Sequence, residues 1–235
     1  MEMMKHSTIP AGNPRILLAD SHSVSADSTS RSTPHTAQFE SALSRALTAA
    51  ALEIYLGRKP SPKELSGEMR SPGEKPCFPA YPDFFYNISH SDGVAVCGIS
   101  DHPIGIDLQK IPKDTHRILR IAKRFFSAEE QEALNKLNDA NESEALCRLF
   151  CRYWTARESY IKLTGRGLAE PFENFMPDLD AGVIRVLQSP FTDSTDPLSE
   201  DTFYLTECPA PEGFCLTVCS TVPLPACTPR LITIE

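Results

Sequence analysis

The stretch Phe150-Cys-Arg-Tyr-Trp-Thr-Ala-Arg-Glu-Ser-Tyr-Ile-Lys-Leu-Thr-Gly165, taken with Ile104-Gly-Ile-Asp-Leu-Gln-Lys110, decides how the rest of this chain is read. Across 141–164 the residues Ala145, Leu146, Leu149, Tyr153, Ala156, Tyr160 and Ile161 recur at helical spacing, which predicts a helix with one buried and one polar face. Gly165 and Gly167 then stop it. Trp154, Glu158 and Lys162 stand four apart and stack along one side, with Arg157 a step around. Such a face suits a metal and a phosphate together. Taken alone, Glu158 and Lys162 are equally an ordinary helix ion pair worth about 0.3–0.5 kcal/mol, and among surface pairs that is the commoner meaning.

In the shorter stretch, Ile104, Ile106 and Leu108 alternate with Gly105, Asp107 and Gln109, a period-two pattern that places the apolar set on one face of a strand. Asp107 and Gln109 share the other face. Two oxygen-bearing side chains at i and i+2, joined by a carboxylate from elsewhere, suit a hard cation such as Mg²⁺; a strand end with solvent-facing polar residues is the ordinary alternative. Upstream, 84–91 runs into the apolar, β-branched 94–99, which reads as a buried strand with Asn87, Ser89, His90 and Ser91 just before it. Their hydroxyls are suited to donate to phosphate oxygens.

The remaining segments mix both element types. Residues 14–19 read as a short strand, 20–36 as a polar loop, and Phe39, Leu43, Leu47, Ala50 and Ile54 as a helix ending before Gly57 and Pro60. Prolines make 60–82 largely irregular. Residues 116–126 form an amphipathic helix, and Ser127-Ala-Glu-Glu130 has the spacing of a capping box. Strands are expected over 182–187, 202–206, 214–220 and 231–234, with a polar loop over 188–201. The fold class is therefore α/β or α+β.

Bulk properties narrow the function classes. At 235 residues, 41 % of them hydrophobic, the chain can bury a sizeable core as one domain or two small halves. A net charge of −8 disfavours non-specific nucleic-acid binding. The acidity is uneven: Lys110, Lys113, Arg117, Arg120, Lys123 and Arg124 crowd one span, either as a solvated helix face or as a surface for an acidic protein partner. No charged leader precedes a long apolar core, and no run approaches the ~20 apolar residues of a membrane span, so a cytoplasmic protein acting away from membranes is expected. The eight cysteines include no C-x-x-C pair, and free buried thiols are expected rather than a metal cluster or disulfide framework.

In order along the chain, Gly73-Glu-Lys-Pro76, Asn87-Ile-Ser-His90, Gly105-Ile-Asp-Leu-Gln109, Lys123-Arg-Phe-Phe-Ser127 and Trp154-Thr-Ala-Arg-Glu158 through Lys162 and Gly165 resemble the motifs of the 4′-phosphopantetheinyl transferases of the Sfp type. The likeness runs from about 45 to about 175. It implies two pseudo-equivalent α/β halves, 1–104 with the coenzyme A phosphate contacts and 105–235 with the metal-binding strand and catalytic helix. Coenzyme A would lie in the cleft between them, in a monomer.

The implied reaction moves the phosphopantetheine arm of coenzyme A onto a serine of an apo acyl, peptidyl or aryl carrier protein. By the same resemblance Asp107 and Glu158 ligate Mg²⁺, with Gln109 through its carbonyl oxygen or a water. Glu158 also accepts the serine proton, directly or by way of water, and Lys162 balances phosphate charge. Ser89, His90, Lys75 and Arg45 hold the nucleotide phosphates, Arg45 matching an arginine on the 3′-phosphate or being simply an exposed helical arginine. Trp154 is read as packing. Three departures stand out: Glu74 interrupts the Gly-Lys-Pro element, Gln109 stands where many relatives have Glu, and Arg157 stands where Lys is common. The rival from another class is a degenerate transferase that binds coenzyme A or a carrier without turnover.

Overall fold

The computed structural model describes residues 14–20, 37–69, 75–167, 171–187, 202–225 and 227–232. The loops expected over 20–36 and 188–201, Gly73 and Glu74, and the end of the strand expected over 231–234 fall outside those residues, apart from Asp20. In chain order the elements are β1 (Arg15–Asp20), α1 (Ala37–Leu56), α2 (Pro62–Leu65), β2 (Phe85–Ser91), β3 (Val94–Ser100), β4 (Ile104–Lys110), α3 (Thr115–Phe125), α4 (Ala128–Asp139) and α5 (Ser143–Thr164). A short 3₁₀ turn (Phe172–Asn174) then leads to β5 (Phe175–Asp178), β6 (Val183–Val186), β7 (Phe203–Glu207), β8 (Phe214–Ser220) and β9 (Arg230–Leu231).

Two sheets stand between two long helices. One has the order β2-β3-β1-β9, with β9 parallel to β1, and the other the antiparallel order β4-β8-β7-β6-β5. Strand alternation sends each sheet's two faces to different partners. Leu17, Ala19, Ala95, Cys97 and Ile99 meet Leu43, Leu47, Ala51 and Leu52 of α1. From the opposite face Ile16, Leu18, Val94 and Val96 pack on Ile104, Ile106, Leu108, Leu216 and Val218 of the second sheet. The second sheet's far face, with Leu205 and Cys219, takes Ala156, Tyr160 and Leu163 of α5. The result is an α/β fold of two halves, each a sheet carrying one long helix.

The first half of α5 is covered a second time. Ile118, Ala122 and Phe126 from the α3 region and Leu134 of α4 enclose Leu146, Cys147 and Phe150. Helix α5 is thus buried on two sides, which corrects the single apolar face expected from its spacing: Arg157, placed there on the polar side, is only 1 % exposed.

Polar side chains join the two sheets. On β2, Asn87 Oδ1 accepts from the Ile106 amide at 2.9 Å, Ser89 Oγ from the Leu108 amide at 3.1 Å, and Ser91 Oγ from the Lys110 amide at 3.0 Å. These alternate amides point away from β8 and occupy the free edge of β4, where an unpaired buried donor costs about 1–3 kcal/mol.

This also revises the reading of 84–99. Residues 85–91 are a strand in their own right, turned into β3 by Asp92 and Gly93 with φ of 48° and 78°. An Asp-Gly pair with both φ values positive is the two-residue hairpin turn that matches strand twist. Two further elements escaped the sequence. The capping box of Ser61 and Glu64 builds α2 inside the proline-broken 60–82, and β5 follows Asn174.

Helix α5 crosses β4 at Gly105 with no room to spare. A Cβ there would lie 2.0 Å from the Ser159 carbonyl oxygen and 2.5 Å from the Leu163 amide, both backbone atoms. Gly105→Ala should therefore force helix and strand apart and lower unfolding free energy by about 3 kcal/mol. Urea unfolding followed by circular dichroism checks this, and a loss under about 1 kcal/mol would mean that the crossing can relax.

Candidate functional site

Beside that crossing, β4 and α5 bring charged side chains together. Asp107 is 1 % exposed on the β4 face that looks at α5. Its Oδ1 accepts from Lys162 Nζ at 2.6 Å and from Ser89 Oγ at 2.8 Å, and Lys162 Nζ also donates to Ser89 Oγ at 2.8 Å. Because the same Ser89 Oγ caps the Leu108 amide, the cluster is tied to the seam between the sheets. Among the described residues, buried Asp107 Oδ2 has no hydrogen-bond partner. Glu158, one helical turn before Lys162, makes no hydrogen bond among the described residues and feels Asp107 as a like charge.

These surroundings set the titration of both acids. Burial raises the Asp107 carboxyl above its ordinary range, against the pull of Lys162, Ser89 and Gln109. Burial likewise raises Glu158, with Asp107 adding and Lys162 opposing. With both acids ionised, the cluster holds more negative charge than its one ammonium neutralises. An orphaned carboxylate oxygen and a second carboxylate, with the Gln109 side chain beside Asp107, offer oxygen donors that fit a hard divalent cation. No group of three or more His, Cys, Asp and Glu side chains suited to a metal occurs among the described residues, so such an ion would rest on two carboxylates and the amide.

The other expected site residues are placed less uniformly. Ser89 and His90 are neighbours on β2, and strand alternation sends them to opposite faces. Ser89 joins Asp107, whereas His90, exposed, pairs through Nδ1 with Glu40 of α1 at 3.1 Å. Arg45 is exposed on α1 and donates to Ser41 Oγ at 2.7 Å. Lys75 reaches the end of α5, where Nζ donates to the carbonyl oxygens of Leu163 and of Ile104, the latter at 3.3 Å. Burial lowers the Lys75 amine to about 8. Trp154 stacks between Phe150 and Phe172, at 5.9 and 5.8 Å between centroids.

Sequence reasoning passed over Asn87 and Ser91 as seam residues, and Asp92-Gly93 was the signal for the strand that carries them. All eight cysteines are free thiols, and only Cys77 is exposed. No helix among the described residues is long and apolar enough to cross a membrane.

Residues 103–219, which begin at β4 and end in β8, match the profile of the 4′-phosphopantetheinyl transferase superfamily. The chain belongs to that superfamily. It is 40 % identical over 101 residues to a 4′-phosphopantetheinyl transferase of Bacillus subtilis, covering 43 % of this chain and 42 % of the relative. It is 33 % identical over 149 residues to the 4′-phosphopantetheinyl transferase Sfp of Bacillus subtilis (63 % and 60 %). With the 4′-phosphopantetheinyl transferase HetI of a Nostoc species it shares 35 % identity over 130 residues (54 % and 52 %). The chain thus spans roughly two fifths to three fifths of the length of these curated relatives.

Within this Sfp-like chain the raised Glu158 carboxyl has a measurable consequence. Folding favours its protonated form, so the stability it contributes is full below its unfolded pKa and is lost as pH rises through the higher folded value. Near neutral pH its charge is a cost. Glu158→Gln should therefore stabilise the metal-free protein by about 1 kcal/mol at neutral pH. That gain should vanish below about pH 4, where Glu158 itself is protonated. Thermal melts of both proteins from acid to neutral pH check this, and a variant less stable at neutral pH would contradict it.

Proposed function

We propose that the chain transfers the 4′-phosphopantetheine arm of coenzyme A to a serine of an apo carrier protein, releasing adenosine 3′,5′-bisphosphate and requiring Mg²⁺. The observation that carries this reading is the buried Ser89–Asp107–Lys162 cluster with its orphaned Asp107 oxygen beside Glu158, in a superfamily member. Asp107, Glu158 and Gln109 would hold the ion, which, when bound, offsets the charge of the diphosphate. Glu158, directly or through a water, takes the proton of the carrier serine as the serine oxygen meets the β-phosphorus. Lys162 keeps a cation beside the phosphate charge as the P–O bond to the nucleotide breaks. Arg45 is exposed on α1 and exposed His90 pairs with Glu40 of the same helix, which supports α1 as the flank on which nucleotide phosphates rest. Lys75 serves from the other side through its hold on the end of α5.

Helix α3 supports an acidic partner. Arg58, Lys110, Lys136, Arg152 and Arg185 each hold a carboxylate. The exposed His116, Arg117, Arg120 and Lys123 of α3 form no ion pair among the described residues. A cationic face left unneutralised on a chain of net charge −8 is suited to steer an acidic carrier.

Intact mass of apo carriers incubated with coenzyme A and Mg²⁺ tests the reaction. A phosphopantetheine adduct on a carrier serine is expected, and Glu158→Ala should abolish it. Coenzyme A binding without any adduct would make the chain a binding protein instead. Charge reversal of Arg117 and Arg120 should raise the carrier KM about tenfold and leave the coenzyme A KM unchanged; unchanged values for both would reduce α3 to a solvated face. Because a neutral amide is a weaker partner than a carboxylate for a hard cation, Gln109→Glu should lower the Mg²⁺ needed for half-maximal rate. The same requirement in both proteins would count against Gln109 as a ligand.

A further inference from the structure

One step around α5 from Glu158, Arg157 is buried with an acid and two backbone carbonyls. Its Nη2 donates to Glu130 Oε2 of α4, and its Nη1 donates to the carbonyl oxygens of Phe172 at 3.0 Å and Phe175 at 2.9 Å. The rings of Phe126, Phe172 and Phe175 lie 5.1, 5.7 and 5.4 Å from the guanidinium carbon. Glu130 is 3 % exposed, and the same Oε2 closes the α4 capping box on the Ser127 amide at 2.7 Å. Arg157 Nε and Glu130 Oε1 have no hydrogen-bond partner among the described residues. As a stability device this is poor value, since a buried pair with unsatisfied atoms is often no better than apolar residues of similar size.

What the guanidinium does is geometric. Asn174 spends its carbonyl on Leu187 of the neighbouring chain segment, so the next carbonyl, Phe175, faces outward along β5, the outer strand of the second sheet. Arg157 occupies that edge. One planar group fixes the α4 N-terminus, the 3₁₀ turn and the β5 edge to a single residue of α5. The next residue of the helix is Glu158.

We infer that Arg157 is a positioning residue for Glu158: it sets the rotation of α5 about its own axis, while the Gly105 crossing sets its height on β4. The inference rests on the transferase reading for its rate readout. A turn of α5 that moves the Glu158 carboxylate by about 1 Å costs up to about a hundredfold in rate without touching coenzyme A.

The test compares wild type, Arg157→Met, Arg157→Lys and the double variant Glu130→Met with Arg157→Met, all well below their melting midpoints. Arg157→Met should lower kcat at least about tenfold with coenzyme A KM within about twofold, and Arg157→Lys, which keeps a donor for Glu130, should recover part of that rate. The double variant removes both buried charges and should melt above Arg157→Met, yet stay as slow. A double variant that regains both stability and rate would overturn the inference and leave Arg157 a folding residue. Mg²⁺ affinity by calorimetry is the second readout and should weaken about tenfold in Arg157→Met, because Glu158 is displaced. If wild type transfers nothing, the transferase reading fails by itself and this affinity still decides; equal affinities in wild type and variant would overturn the positioning role.

Discussion

Everything at this site depends on three side-chain oxygens of β2 accepting from three amides of β4. A strand at a sheet edge must hide its donors from competing strands, and β4 does so with Asn87, Ser89 and Ser91 instead of another backbone. The two sheets are thereby held in register by groups that have other atoms free. Ser89 uses its remaining capacity on Asp107 and Lys162. The seam and the charged cluster are one network, so the register of the sheets and the position of the acid are fixed by the same hydroxyl.

Around that seam the molecule accepts electrostatic cost. Two carboxylates sit close together under partial or full burial, and one oxygen of Asp107 has no partner among the described residues. A single lysine cannot balance them. Buried polar groups left in this condition are tolerated where a ligand completes them, and the packing supplies the surplus: α5 is covered by a sheet on one side and by α3 and α4 on the other. The rigid support and the unfinished charge belong to the same helix.

What could be read in the sequence follows from which periodicities stay clean. β4 alternates without interruption and α5 repeats at helical spacing, so the strand that carries Asp107 and the helix that carries Glu158 and Lys162 are legible in the sequence, whereas their meeting is what the family resemblance implies. β2 hid because its inward side is made of Asn and Ser, which look like a loop to any hydrophobicity pattern; only the Asp92-Gly93 turn betrayed it. Arg157 reads as a polar-face residue because its charge is visible in the sequence and its partners are not. Glu130 lies 27 residues earlier and the receiving carbonyls 15 and 18 residues later. Lys75 and His90 show the same limit: the resemblance implies that both hold phosphates, whereas strand facing and burial decide which atoms they hold.

The pairing of β9 with β1 bears on how the chain is made. Leu17 and Leu18 lie opposite Arg230 and Leu231, and the Ile232 amide donates to the Leu18 carbonyl at 2.9 Å. During synthesis the outer edge of β1 therefore waits for more than two hundred residues to leave the ribosome before its last partner arrives. Contacts so distant along the chain form slowly and expose a strand edge in the interval. The first sheet is begun first and closed last, which makes nascent chains stalled before residue 230 the species with an open edge for chaperones to cover.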